Sequence, residues 1–563
     1  MLVFMRRCMM EKTQKRKIVL IIAAFAFLLV CTISMMATRT IMYGDDIDFH
    51  YARFGGIRDA ILGGQFPIKY YNGWAHSGGY FGSLFYGDIF LIPFVLPSLI
   101  GIPLEVCYFL FFYVVYFAFW VAMYFLAKKY LKGDVLSILC ATIFTASNYM
   151  FVDVFYRVAL GESIAVVFYL VLLLGIYNLL HENYSKPWLL VIAFAGILFS
   201  HMTTLFFAAV TLIIVVLANC KKLFRDKQFW IKSGLALGLF LIVGLYFIAS
   251  FIELYFADTY NIVNNTLNPN LTSSKRAFDF EEIFNSVFSV GAILWISVIL
   301  RVIIFALKRT KDELKIIDKF LIIAMVLVFM TSKAFPWKIF DNSLGIIQFP
   351  WRLNFIISIL LSIVLSLEIK IIYSCRFNWS IFVTVFVLLI LLVNNNCVYL
   401  ERTNTERDLC TYYNRKVEWY PVVTQIDDFK DRNIYDNAGN VIEYTREKYT
   451  TDIEFSVDGV GEYYIVPLVY FKGYTAVHVD EEGKRTNLAV SGHTNGMMVV
   501  EGNGKKGKVA IHYAGTTVQN VTFVISFVGT LAIVVGAVVY AVRTNRLRQR
   551  QRNETEVAEA KVV

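Results

Sequence analysis

Apolar runs as long as a bilayer-spanning helix recur along this 563-residue chain and dictate its class. A spanning helix needs about 20 predominantly apolar residues. Runs of that kind fall at roughly 17–37, 84–103, 105–127, 134–151, 163–180, 187–200, 204–219, 232–251, 284–306, 317–331, 350–371, 379–397 and 520–542. The chain is 58% hydrophobic and 17% charged, whereas soluble domains are about half apolar and a quarter charged. A soluble globular fold is excluded, and a mainly α, polytopic membrane protein is predicted. The net charge of +10 sits in short Lys/Arg clusters between apolar runs, which is the positive-inside pattern rather than a nucleic-acid footprint.

Those clusters orient the chain. Lys12 to Lys17, Lys128 to Lys132, the cluster starting Lys221-Lys222, the cluster starting Lys308-Arg309, the Lys370 to Arg376 loop and the Arg543 to Arg552 tail all belong on the cytosolic side. Parity then requires one run before Lys128 not to cross. The run 84–103 carries Asp88, Pro93 and Pro97 and is expected to be re-entrant or interfacial, because such groups are tolerated at depth where protein buries them. The prediction is a multi-pass protein with both termini cytoplasmic and 398–519 outside. Ile18 to Met35 has a basic flank and no small-residue cleavage site, so it is expected to be a retained anchor. The expected divisions are 1–400, a helical domain with an external loop at 38–83; 401–519, an external β-rich domain; 520–543, a final spanning helix; and 544–563, a basic, disordered cytosolic tail. Within 401–519, short alternating runs at Asp452–Val457, Tyr463–Pro467, Tyr474–Val479, Thr486–Val490, Met497–Glu501 and Lys508–Tyr513 are separated by turn pairs such as Asp458-Gly459 and Asn495-Gly496. Cys397 and Cys410 are the two cysteines expected outside, where a bridge can form.

This orientation places four polar clusters on one external side. They are Asp45 to Tyr80, Asp153 to Glu162, Ser200-His201-Met202-Thr203-Thr204, and Glu253 with Lys333 to Arg352. Ionisable groups converging at one membrane face point to a site. The first is the densest. In Gly44-Asp45-Asp46-Ile47-Asp48-Phe49-His50 to Arg53, a helix from Asp46 puts Asp46, His50 and Arg53 on one face. A carboxylate beside an imidazole can serve as a base or hold a phosphate; the plain alternative is a solvated, capped turn. Arg157 and Arg352 sit at outer helix ends and suit a phosphate, or snorkel to lipid headgroups. Glu162 lies near a helix start, where a carboxylate also favours the helix dipole. His201 interrupts an apolar pair of helices and binds a ligand or caps freed backbone. Trp351 and Trp337 are sugar stackers or interface anchors.

Gly44-x-Asp46-x-x-Phe49-His50-x-x-Arg53 with Leu62-Gly63-Gly64-Gln65-Phe66-Pro67 resembles the first external loop of bacterial YfhO-like membrane proteins. It also resembles a set catalogued as 6-pyruvoyl-tetrahydropterin synthase-related membrane proteins. Tyr156-Arg157-x-Ala159-x-Gly161-Glu162, Ser200-His201 and Gln348-Phe349-Pro350-Trp351-Arg352 match in the same order. Val466-Pro467 to Gly473-Tyr474, and Val509 to Gly515-Thr516, resemble the YfhO-like C-terminal region. Both sets look like GT-C glycosyltransferases. The resemblance implies a GT-C-like multi-helix domain in a bacterial plasma membrane. It implies transfer of a sugar from a polyprenyl-phosphate carrier to a cell-surface glycan or lipid acceptor, without cofactor or metal. Asp46 aligns as the base, with Asp45 and Asp48 able to substitute and His50 beside it. Arg157 and Arg352, with Arg53, Glu162 and His201, would bind the donor. A flippase for lipid-linked glycans and a non-catalytic assembly partner are the rival expectations; for the flippase, no inverted repeat is visible in the sequence.

Overall fold

The computed structural model describes residues 2–32, 46–131, 133–264, 289–307, 313–332, 334–340, 344–375, 377–400, 413–415 and 417–562. Asp45, Lys333 and Cys410, singled out above, lie outside them, as does all of 265–288. The chain is mainly helical. Its principal helices are α1 (Leu2–Cys31), α2 (Ile47–Leu62), α3 (Leu104–Leu131), α4 (Asp134–Thr145), α5 (Leu160–His181), α6 (Trp188–Leu198), α7 (Met202–Ala218), α8 (Lys227–Tyr255), α9 (Ala292–Ala306), α10 (Glu313–Met330), α11 (Asn354–Cys375), α12 (Phe377–Leu400) and α13 (Thr517–Val562). Among the described residues, five helical stretches are long and apolar enough to cross a membrane: Leu104–Leu131, Leu160–His181, Lys227–Tyr255, Pro350–Tyr373 and Thr517–Arg546. A sixth arises if Asp134–Thr145 and Asn148–Tyr156, bent by 58° at their junction, count as one span.

The run 84–103 forms no long helix. It holds only a one-turn helix, Ile92–Val95, and a 3-10 segment, Leu96–Ile100. Pro93 and Pro97 each occupy a first-turn position, where their missing N–H costs nothing. The bend after α4 has a visible cause in α12. Asn395 Nδ2 donates to the freed Ala146 carbonyl at 3.0 Å, and Asn394 Nδ2 donates to Asn148 Oδ1 at 2.7 Å. A broken helix inside an apolar body persists where a neighbouring helix satisfies its backbone. The α5–α6 pair packs closely because Gly196 faces the Phe168 ring; a Cβ there would lie 2.3 Å from it.

The β region is a pair of five-stranded antiparallel sheets. The strands are β1 (Ile434–Asp436), β2 (Val441–Ile442), β3 (Tyr444–Arg446), β4 (Ile453–Asp458), β5 (Tyr463–Val469), β6 (Tyr474–Asp480), β7 (Arg485–Leu488), β8 (Val490–Gly492), β9 (Met497–Glu501) and β10 (Lys506–Tyr513). Their orders are β2-β1-β5-β9-β8 and β3-β4-β10-β6-β7. Period-two alternation buries Ile453, Phe455 and Val457 of β4 and Val509, Ile511 and Tyr513 of β10. Phe455 of one sheet meets Tyr464 of the other at 5.4 Å. The region docks on the helical body through Phe81, whose ring lies 4.3 Å from Phe471 and 4.4 Å from Tyr513. Glu253, placed above in the fourth polar cluster, is an anchor for this docking. It pairs with Lys472 at 3.0 Å and accepts from Thr516 Oγ1 at 2.5 Å.

One expectation is corrected. The tail predicted to be disordered from Thr544 continues α13 to Val562. Its Arg, Gln, Glu and Ala residues are strong helix formers and no Gly or Pro interrupts them.

Candidate functional site

Five separate stretches of chain converge at one end of the helical body. The first is the start of α2. Asp46 is its N-cap residue, and the Asp46 N–H donates to the Arg157 carbonyl at 3.1 Å. One backbone bond therefore ties the first polar cluster to the second. Asp46 stays half-buried and lies within electrostatic reach of Arg157 and Tyr86. Asp48 is also half-buried, near Tyr108 and Tyr413.

His50 and Arg53 follow one turn apart on the buried face of α2. Arg53 is committed to Asp88: its Nη2 reaches Asp88 Oδ1 at 2.5 Å and the Gly87 carbonyl at 3.2 Å. Asp88 Oδ2 accepts from Tyr71 and Ser83 hydroxyls at 2.5 and 2.6 Å. Asp88 is thus the counter-charge for Arg53, a buried ion pair with its remaining lone pairs filled. Arg53 Nη1 lies 3.3 Å from His50 Nδ1. A guanidinium can only donate, so Nδ1 accepts and the proton of a neutral His50 sits on Nε2. His50 is thereby an N–H donor, not a free base. Burial, then the Arg53, His201 and Arg157 charges, hold its pKa well below the ordinary 6.5.

That shift has a sign. Below pH 6.5 the unfolded chain binds a proton at His50 and the folded chain does not, so stability present above 6.5 is lost as pH falls toward the folded value. The folding stability of the detergent-solubilised protein is expected to fall between pH 6.5 and 5, His50 contributing at most about 1.4 kcal/mol per pH unit. His50→Gln is expected to flatten the slope in that window. An unchanged slope would show that His50 is already charged in the folded state.

The second stretch is the exit from the bent pair. Residues Val152–Tyr156 form one π turn, closed by the Arg157 N–H on the Val152 carbonyl at 2.8 Å, a feature that is frequent at functional sites. Val158 follows at φ +60°, a left-handed conformation that a β-branched residue rarely adopts. Together they turn Arg157 inward. Its Nη1 donates to Asp153 Oδ1 at 2.7 Å and to Glu162 Oε2 at 3.2 Å, and Tyr149 OH donates to Glu162 Oε1 at 2.5 Å. Gly161 admits the neighbouring chain: a Cβ there would lie 1.7 Å from the Tyr86 hydroxyl and 2.6 Å from the Ser200 carbonyl.

The third and fourth stretches meet at Arg352. Its Nη1 donates to Thr203 Oγ1 at 3.2 Å, the Ile347 carbonyl at 3.3 Å and Gln348 Oε1 at 2.8 Å. Its Nε faces Glu162 Oε2 at 3.6 Å, is buried, and has no hydrogen-bond partner among the described residues. Arg157 and Arg352 therefore approach the same carboxylate oxygen while all their side-chain hydrogen bonds among the described residues leave from Nη1. Trp351 lies between them, 4.1 Å from the Arg157 guanidinium and 5.9 Å from that of Arg352. It is 3% exposed, so it is a buried cation–π partner rather than an interface anchor. His201 bonds Thr204 Oγ1 at 2.9 Å, and burial together with Arg352 pushes its imidazole below the ordinary value. The fifth stretch, Tyr86 to Asp88, joins the Arg53 pair to this group. Arg53 also lies 4.4 Å from the Tyr86 ring.

Asp46, His50, Arg157, Glu162, His201 and Arg352 are thus brought together, while Arg53 is turned to Asp88. Tyr149, Asp153, Tyr86 and Thr203 complete the group without having been singled out as site residues. Asp153 and Thr203 stood inside recognised clusters; Tyr149 and Tyr86 look like ordinary aromatics in apolar sequence. The arrangement offers a half-buried carboxylate, neutral imidazoles and two guanidinium edges suited to an anion. No family model matches the chain. It is similar to a protein of Lactococcus lactis subsp. cremoris (strain MG1363) described as uncharacterized, with 25% identity over 315 residues. The match covers 52% of this chain and 50% of that protein, so the chain spans about half the length of its relative.

Proposed function

We propose that this chain is a membrane glycosyltransferase of GT-C type, taking a sugar from a polyprenyl-phosphate carrier at the external face of a bacterial plasma membrane. The observation that carries the reading is the meeting of Arg157 and Arg352, from distant segments, at Glu162 Oε2, with Asp46 held against the Arg157 backbone. The order of motifs resembling YfhO-like proteins supports it. In this reading the acceptor hydroxyl oxygen attacks the anomeric carbon and Asp46 takes its proton. The bond from that carbon to the phosphate oxygen breaks, and the phosphate leaves with the electron pair. The unused guanidinium edges of Arg157 and Arg352 receive the developing charge, and His50 Nε2–H serves as a neutral donor nearby. The acceptor is a cell-surface glycan or lipid oriented by the β region.

Asp46→Asn is expected to slow transfer from a polyprenyl-phosphate sugar in membranes by about 10²- to 10⁴-fold, the range for a lost general base. Wild-type turnover would sink the base assignment. A binding role without chemistry, as in a flippase, is favoured by a single observation: both cluster arginines already face a carboxylate. Translocation of a lipid-linked glycan in liposomes with no sugar transferred would select that second reading.

A further inference from the structure

A second charged group lies far from this cluster, in the same apolar stretch as Arg352. Glu368 sits in the apolar stretch Pro350–Tyr373, 16 residues beyond Arg352 and so about 24 Å along a helix axis. It is 0% exposed, and both carboxyl oxygens are buried without a hydrogen-bond partner among the described residues. An ionised carboxylate in that setting costs several kcal/mol, and an ionisable residue inside an apolar helix is a functional site by default. The only charged side chains in its electrostatic surroundings among the described residues are Arg301 of α9 and Asp318 of α10. Those two bind each other in a fork: Arg301 Nε to Asp318 Oδ1 at 2.6 Å and Nη2 to Oδ2 at 3.1 Å. Arg301 Nη1 is not used in that fork. The Asp318 side chain is 46% exposed, whereas Glu368 is fully buried.

We propose that Glu368 is a proton-binding site within the helical body, loaded from the solvent side of Asp318. Arg301 is the positioning residue that takes Glu368 as its second carboxylate when the proton leaves. In the loaded state Glu368 is a neutral acid and Arg301 belongs to Asp318. When the proton departs by way of the exposed Asp318 side, the Glu368 carboxylate draws the free Nη1 edge of Arg301. One guanidinium then bridges two carboxylates and pulls α9 and α10 toward α11. The proposal does not depend on the glycosyltransferase reading, because no residue of the outer cluster takes part.

Infrared spectroscopy of the full chain in lipid nanodiscs tests it. At neutral pH the wild type is expected to show the carbonyl stretch of a protonated carboxyl, absent from Glu368→Gln. In Asp318→Asn, a change at a half-exposed position, Arg301 has lost its partner and Glu368 is expected to ionise in its place, so the band disappears. A wild-type spectrum without the band overturns the proton site. A band that persists in Asp318→Asn overturns the role of Arg301, and this arm stands even if Glu368→Gln fails to fold.

Discussion

Asp88→Asn is expected to lower the stability of the purified protein by about 3–5 kcal/mol, the cost of removing one partner of a buried ion pair. Arg53 cannot shed its proton, and it is 1% exposed. Its Nη2 would keep two backbone carbonyls, Tyr86 and Gly87, but no charge. Tyr71 and Ser83 would lose the carboxylate oxygen they share. The effect should appear as a lower unfolding temperature in detergent and faster loss of monodisperse protein. Replacing Arg53 and Asp88 together with apolar residues of similar volume is expected to recover most of the loss, since the desolvation cost of both charges disappears with them. An unchanged unfolding temperature in Asp88→Asn would mean that Arg53 is neutralised by another group.

Glu162→Ala is expected to cost a similar 3–5 kcal/mol and, unlike Asp88→Asn, to change what the site binds. Glu162 is 2% exposed and is the carboxylate common to Arg157 and Arg352. Without it Arg157 keeps Asp153, but Arg352 is left with the neutral partners Thr203, Gln348 and the Ile347 carbonyl. Stability falls while the local positive charge rises by one. Binding of a polyprenyl phosphate should therefore tighten in the variant, with a steeper salt dependence, at a temperature where it is still folded. Glu162→Gln, which keeps an acceptor for Tyr149, should lose less stability and show the same gain in anion affinity. Equal affinity in all three proteins would place the anion elsewhere.

Much of this arrangement is legible in the sequence, and the parts that are not share a physical reason. The long apolar helices announce themselves because an apolar run of bilayer length has few other fates. Strands β4, β5, β6, β9 and β10 do so because one buried face imposes alternation, and because turns such as Asp458-Gly459 need a left-handed residue, which Gly459 is, at φ +85°; the single run expected at Thr486–Val490 is instead split between β7 and β8, which belong to different sheets. β1, β2 and β3 escape notice at three, two and three residues, too short for a period to show. Asp46, Arg157 and Arg352 stand out as charges at helix ends. Their partners do not, because pairing is tertiary. Nothing local says that Asp88 belongs to Arg53 or that Tyr149 bonds Glu162. The π turn before Arg157 is also silent, since it arises from one extra residue in a helix whose composition is unchanged.

The convergence of five distant stretches also sets an order of assembly. Arg53 and Asp88 are 35 residues apart, so the first ion pair closes as soon as one short segment has followed α2 out of the ribosome. Arg352 reaches Thr203 across 149 residues, a wait of roughly 7–30 s at ordinary synthesis rates of 5–20 residues per second. Through that interval Arg157 has Asp153 and Glu162 close at hand in its own segment, five residues away at most, and is already neutralised when the last arginine arrives. Asp153 is then the partner that keeps Arg157 paired through the wait, and Glu162 is the carboxylate held in reserve for Arg352.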